Sequence, residues 1–175
     1  MEENGIFDKE IIADKLNKDG NSVVLRRKIE NIEITSGYYN NHGAYYIYVN
    51  GVQVGMVSVT VSNHKAGDTA EMEYVVGEEF RNKGTVGIAV KEVLKDVFVN
   101  GAYDGFPIRP NGNISNIQTV FLAINESNRA SQAVERKNAF SQDEKNKSLH
   151  TITRREFLEL LSLPDYKEES TDERE

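Results

Sequence analysis

The feature that most constrains this chain is a change in hydrophobic period at Gly84. Between residues 44 and 76 apolar, aromatic and β-branched side chains alternate with polar ones. From Thr85 onward they recur every third or fourth position. A period of two places side chains on the two faces of a strand, and a period near 3.6 makes one apolar stripe on a helix. The first region reads "AYYIYV", Asn50–Gly51, then "VQVGMVSVTV": two strands around a two-residue turn of the I′ type, which needs φ > 0 at both positions. A polar loop with Gly67 and Asp68 leads to a third strand, "TAEMEYVV". The three are expected to form an antiparallel meander. The helix that follows carries Val86, Ala89, Val90, Val93, Leu94 and Val97 on its apolar side. Lys91, Glu92, Lys95 and Asp96 are expected on a polar side.

The remaining segments give less. "GIFDKEIIADKLNKDG" suggests a short helix with Ile11, Ile12 and Leu16, ending near Gly20, and "SVVLRRKI" suggests a strand. Residues 30–43 carry mixed signals. A long Gly/Pro/Asn-rich connection over residues 100–116 precedes the strand "QTVFLAI"; a second helix is expected from Ser127 to Asn138, a strand at "SLHTITR" and helical turns at "REFLELL". With 175 residues and no mid-chain linker, one domain over residues 1–164 is expected. The formal charge of −7 resides at the two ends, −3 over residues 1–10 and −4 over residues 165–175. The latter stretch is expected to be a disordered acidic tail.

These properties exclude several classes of function. Without a concentrated basic surface the chain is a poor nucleic-acid binder. With no cysteine it has no disulfide, thiolate metal site or thiol nucleophile. His42, His64 and His150 have no metal-ligand spacing, so no metal site is expected. The acidic start shows no secretory leader, and no apolar window is long enough to span a membrane, so a soluble cytoplasmic protein is expected.

Chemistry concentrates in "EYVVGEEFRNKGTVGIAVKEVL". A strand ends, a charged turn follows, and Gly84 and Gly87 flank the start of the main helix. The first turn of a helix offers free N–H groups at the positive end of its dipole, and Arg81 and Lys83 add charge. Such a head suits phosphate or pyrophosphate. The same glycines also suit a plain loop turn and close helix–sheet packing. Neither the Walker loop nor the dinucleotide glycine pattern is present.

This segment resembles motif A of the GCN5-related N-acetyltransferases, Arg/Gln-x-x-Gly-x-Gly/Ala, with Arg81, Gly84 and Val86 on its marked positions. "AINESNRASQAVERKNAF" resembles motif B of the subgroup of ribosomal-protein and antibiotic acetyltransferases, with Asn128, Ala130, Ser131, Val134, Lys137 and Phe140 matching. The two motifs cover about residues 45–140. The resemblance implies an α/β fold with a mixed, mostly antiparallel sheet, two splayed parallel strands and flanking helices. It implies an acetyl-CoA-dependent N-acetyltransferase that moves an acetyl group directly to a primary amine of a small molecule or protein. A non-catalytic acyl-CoA-binding module is the alternative, and a homodimer is the family-level expectation.

Carried onto this chain, the resemblance places the pyrophosphate of acetyl-CoA against Arg81, Asn82, Lys83, Gly84, Thr85, Val86 and Gly87. Pantetheine would lie along Tyr74, Val75 and Val76, with Asn125, Asn128 and Ser131 on the second strand and helix. Glu71 falls where relatives often carry a strand glutamate and is the candidate base. Glu73, two residues on and on the same strand face, is a second candidate catalytic carboxylate. Relatives commonly place two helices in the first third of the chain, walling the acceptor pocket. The roughly fourteen residues from Lys28 to Gly43 are too few for two such helices.

Overall fold

The computed structural model describes residues 9–62, 69–80, 84–104, 116–123, 140–142, 144 and 149–163. Five strands follow one another as an antiparallel meander: β1 (Glu10–Leu16), β2 (Ser22–Thr35), β3 (Tyr38–Val49), β4 (Val52–Ser62) and β5 (Thr69–Val76). A 3₁₀ turn at Glu78–Phe80 leads to α1 (Thr85–Phe98). Then come β6 (Thr119–Ala123), β7 (Ser141–Gln142), β8 (Leu149–Thr153) and α2 (Arg154–Leu161). The sheet order is β1-β2-β3-β4-β5-β6-β8-β7, with β5–β6 its one parallel pair. This is the mixed, mostly antiparallel α/β architecture that the resemblance implied.

Local chemistry explains the hairpins. Asn50 and Gly51 adopt φ of 48° and 85°, as the I′ turn between β3 and β4 requires. The ladder from that turn pairs Val49 with Val52 and Tyr48 with Gln53, then slips: Ile47 faces Gly55, leaving Val54 as an extra residue on β4. The Val54 carbonyl accepts a 2.9 Å hydrogen bond from the Gly77 N–H, which anchors the bulge to the end of β5. Gly55 beside it has no room for a side chain, because a Cβ there would lie 2.4 Å from the Val75 carbonyl oxygen.

One reading is corrected and one ambiguity resolved. The expected helix around Ile11 is the edge strand β1, with Ile11 53% and Leu16 50% exposed. Their spacing suggested a helical stripe, but β2 offers a long row of backbone partners, and Glu10–Leu16 pairs with it. The ambiguous stretch from residue 30 continues β2 to Thr35, and after Ser36–Gly37 the chain returns as β3. A hairpin therefore occupies the region where relatives commonly carry two helices.

One sheet face is apolar and covered by both helices. Val23, Leu25, Tyr45, Ile47, Val57, Val59, Met72, Val120 and Ile152 meet Ile88, Val90, Val93, Leu94 and Val97 in one core, and Phe98 packs on Phe157 at 5.8 Å between ring centroids. The capping box of Thr153 and Glu156, satisfied in both directions, starts α2 immediately after β8.

The polar side expected on α1 is itself largely buried: Lys91, Glu92 and Asp96 are 4%, 5% and 1% exposed. Glu92 lies between Lys15 (3.9 Å) and Lys95 (3.4 Å). Asp96 accepts two hydrogen bonds from Arg27 Nη1 (2.9 and 2.7 Å), one from the Tyr45 hydroxyl (2.7 Å) and one from Asn100 Nδ2 (3.1 Å). The hydroxyls of Tyr45 and Tyr103 are 2.9 Å apart, and Arg27 also reaches Glu10. The cations of "LRRK" are thus split between the two faces of β2. Arg27 points into this cluster, and Arg26 lies on the opposite face over Tyr48. Gly43 is needed because the Tyr103 hydroxyl occupies the space its side chain would take.

Burial, then the neighbouring Tyr103 phenol and the Asp96 charge, holds Tyr45 well above the ordinary phenol range. Burial does the same to Tyr103. Burial alone would lower the pKa of Arg27, but its hydrogen bond to Asp96 and that carboxylate's charge raise it. A phenol whose pKa is raised in the folded state contributes stability in full below its unfolded pKa of about 10 and loses it as pH rises beyond. Absorbance titration of the eight tyrosines is therefore expected to show two that ionise only as the chain unfolds. Above about pH 10 stability should fall less steeply in Tyr45→Phe than in the wild type.

Candidate active site where two parallel strands part

The site begins with the ladder between β5 and β6. Their pairing runs from Thr69–Thr119 to Met72–Leu122, while β5 continues beside β4 to Val76, which faces Gly55. Among the described residues the two strands thus pair at their starts, and the ladder ends at Met72–Leu122, four residues before β5 ends and one before β6 does. Ligands of α/β sheets enter such crevices, where backbone at the end of a strand is not consumed by its neighbour.

Period two then assigns the side chains. Ala70, Met72, Tyr74 and Val76 face α1, with Tyr74 packed against the core, while Glu71, Glu73 and Val75 face away from it. Glu71 is half-buried and stands one residue before the last paired step. Glu73 and Val75 are exposed on the part of β5 beyond it. The two expected catalytic carboxylates thus share a face at the parting of the strands.

The same strand feeds the helix head. Gly84 is the N-cap of α1 with φ 77°, a left-handed conformation that costs an L-residue roughly 1–2 kcal/mol. Its carbonyl accepts the first helical bond, from Ile88 N–H at 3.0 Å, so the N–H groups of Thr85, Val86 and Gly87 precede the ladder. No side chain caps them from Gly84, and the first turn of the helix itself contains no acidic residue. Thr85 and Gly87 are buried, and the half-buried Val86 packs against the core.

A residue not singled out from the sequence holds this head in place. Asn17, 3% exposed in the turn between β1 and β2, donates from Nδ2 to Thr85 Oγ1 at 3.4 Å. Its Oδ1 accepts from the N–H groups of Asp19 and Asn21, both at 3.0 Å. One side chain thus closes its own turn and ties it to α1. The Asn-Lys-Asp-Gly composition signals a turn, but the partner 68 residues away has no local signal.

On the face that carries Glu71, consecutive ladders align Glu30, His42, Thr60, Glu71 and Phe121 in one row across β2 to β6. Lys28, Ala44, Ser58 and Glu73 form the next row. His42, singled out from the sequence only as a poor metal ligand, places Nδ1 3.2 Å from Thr60 Oγ1.

Arg81, Asn82, Lys83, Asn125, Asn128 and Ser131 lie outside the described residues, as do the expected helix over residues 127–138 and the acidic tail. Asp104, in the long connection, accepts from Ile117 N–H at 3.3 Å and lies 3.9 Å from Arg154, joining the two ends of that segment. Among the described residues no helix is long and apolar enough to cross a membrane.

Comparison with known proteins follows this geometry. The profile described as "Acetyltransferase (GNAT) domain" matches residues 17–141. No curated protein matches the chain in sequence. Among solved structures, RimJ of Mycobacterium smegmatis, in complex with CoA-disulfide, superposes with a TM-score of 0.55 at 13% identity. The match covers 82% of this chain and 87% of that one, a likeness of fold. A spermidine N-acetyltransferase SpeG chimera from Vibrio cholerae and hSSAT gives a TM-score of 0.49 at 11% identity, covering 68% and 69%.

Removing the Asn17 tether should loosen the helix head. Asn17→Ala is expected to cost about 1–2 kcal/mol in urea denaturation, because Thr85 and two turn N–H groups lose their partner together.

Proposed function

The chain belongs to the GNAT acetyltransferase family, whose activity is acetyl-CoA-dependent transfer to an amine, and from that premise we propose how its own residues divide the work. The observation that carries the reading is the parting of β5 and β6 after Met72–Leu122, with Glu71 beside it and the uncapped head of α1 at the end of the same strand. Acetyl-CoA supplies an activated thioester, to which an amine adds without a covalent enzyme intermediate.

In this reading the backbone N–H groups of Thr85, Val86 and Gly87 hold the pyrophosphate, with Gly84 giving it room to approach. Arg81, Asn82 and Lys83 add charge and donors from the preceding turn. The backbone of Tyr74, Val75 and Val76 aligns the pantetheine arm, and Asn125, Asn128 and Ser131 flank it from the other strand and the following helix. Fixing both partners in this way supplies rate through proximity.

Glu71 accepts the proton that the acceptor's ammonium must lose. It sits where the strands part, half-buried, on the face away from the core. Glu73 adds negative charge beyond it and favours a cationic amine. The acceptor class is therefore a primary amine, on a small molecule or a polypeptide. Glu30 of β2, His42 of β3 and Thr60 of β4 lie on the same sheet face as these carboxylates.

Calorimetric titration with acetyl-CoA is expected to show micromolar binding in the wild type and none in Gly84→Asp, with circular dichroism confirming that the variant is folded. Absence of binding in the wild type would overturn the reading. In an acetylation screen over polyamines, amino sugars and short peptides, Glu71→Gln should lower kcat about 100-fold while acetyl-CoA affinity is retained. Equal turnover would remove Glu71 from the role of base.

A further inference from the structure

A base that takes a proton at each turnover must also give it up, and the row of side chains next to Glu71 leads away from the strand parting. Thr60 lies directly opposite both Glu71 and His42, on the same face of three consecutive strands. Directly opposed residues have Cβ atoms about 4.5–5.5 Å apart, within reach of carboxylate, hydroxyl and imidazole. The contact between His42 Nδ1 and Thr60 Oγ1, at 3.2 Å, joins two of the three. Thr60 and His42 are both half-buried.

We propose that His42 and Thr60 are positioning residues that relay the proton from Glu71, an inference that rests on the reading of Glu71 as the base. In neutral His42 the proton is on Nε2, and Nδ1 accepts from the Thr60 hydroxyl. A hydroxyl has one proton to donate, so Thr60 then presents only lone pairs toward Glu71. That arrangement gives nothing to the ionised carboxylate and accepts a hydrogen bond from the protonated one. Once Glu71 has taken the ammonium proton, its O–H proton passes to Thr60 Oγ as the Thr60 hydroxyl proton passes to His42 Nδ1. The imidazolium releases its Nε2 proton to water, which leaves Glu71 ionised and His42 as the Nδ1–H tautomer; uptake of a water proton at Nε2 and loss of the Nδ1 proton to water return the ring to its starting form, and the Thr60 hydroxyl turns back to Nδ1.

The surrounding charges suit this path. Glu30 faces His42 from β2 and is paired with Lys28 on its own strand at 3.6 Å. From β4 the groups near His42 are Ser58, Thr60 and Ser62, of which Ser62 donates to Asn40. Toward Glu71 the charged neighbour on its own strand face is Glu73, while β6 contributes Phe121 opposite it. Imidazole is the one side chain in this row with an ordinary titration range that includes neutral pH.

The test needs no acceptor for its first arm. The chain has three histidines, so His42 can be followed by heteronuclear NMR through a pH titration. In the wild type, Nδ1 should show the shift of an acceptor nitrogen. In Glu71→Gln the His42 ring signals should shift at neutral pH, because a negative charge two strands away has been removed. In Thr60→Val the Nδ1 signature should be lost, and in Thr60→Ser retained. His42 ring signals indifferent to Glu71→Gln, or an Nδ1 signal indifferent to Thr60→Val, would overturn the relay.

The second arm uses the best amine from the acceptor screen. Thr60→Val and His42→Gln are expected to lower kcat about tenfold, leave the KM for acetyl-CoA unchanged and alter the acid limb of the pH profile, whereas Thr60→Ser keeps near-normal turnover. Thr60→Val turning over like the wild type would overturn the relay even with NMR coupling present. Full turnover in Glu71→Gln would instead sink the reading of Glu71 as the base, and is thereby distinguishable.

Discussion

The buried carboxylate of Asp96 ties the layers of this molecule together. It projects from the last turn of the sheet-facing helix α1 and receives hydrogen bonds from β2 through Arg27, from β3 through Tyr45 and from just beyond the helix through Asn100. Tyr103 extends the cluster into the following connection, and Arg27 carries it to the edge strand through Glu10. A buried charge with every partner in place is tolerated; with one removed it is left uncompensated, at a cost of about 3–5 kcal/mol. The value of such a cluster lies in specificity more than in net stability. It admits one rotation and one height of α1 on the sheet.

That fixed height matters at the other end of the helix. The head of α1 must stand over the place where β5 leaves β6, and Asp96, Asn17 and the core stripe hold it there from three directions. Asn17 contributes from the turn between the first two strands, so a segment remote in sequence steadies the donors that an anion would meet. Asn17 and Asp96 thus join both ends of α1 to the strands and turn beneath it.

A single inserted residue gives the sheet face its polar row. Counted outward from the Asn50–Gly51 turn, an unbroken ladder would set His42 against Val59. The bulge at Val54 shifts the count by one, so His42 faces Thr60 instead. A one-residue slip exchanges the two faces of a strand. Here it sends Val57, Val59 and Val61 into the core and leaves Met56, Ser58, Thr60 and Ser62 on the Glu71 side. Gly55, whose Cβ would collide with the Val75 carbonyl, allows β4 and β5 to close together just beyond that bulge.

The chain from residue 44 to Phe98 was legible because its signals are local. Asn50–Gly51 dictates its own turn, alternation marks β3 to β5, and the 3.6 period with Gly84 marks α1 and its head. The motifs gave the family, and the alternation of β5 already put Glu71 and Glu73 on one face. Other properties were decided by contacts between distant segments. Ile11 and Leu16 belong to a strand because β2 lay open to pair with it. Glu92 and Asp96 are buried because β1, β2 and β3 supply cations and a phenol to meet the two carboxylates. The approach of His42 to Thr60 depends on a bulge pinned by the Gly77 N–H. Turn type and periodicity are properties of a few adjacent residues, whereas register and burial depend on which backbone and side-chain partners the rest of the fold delivers.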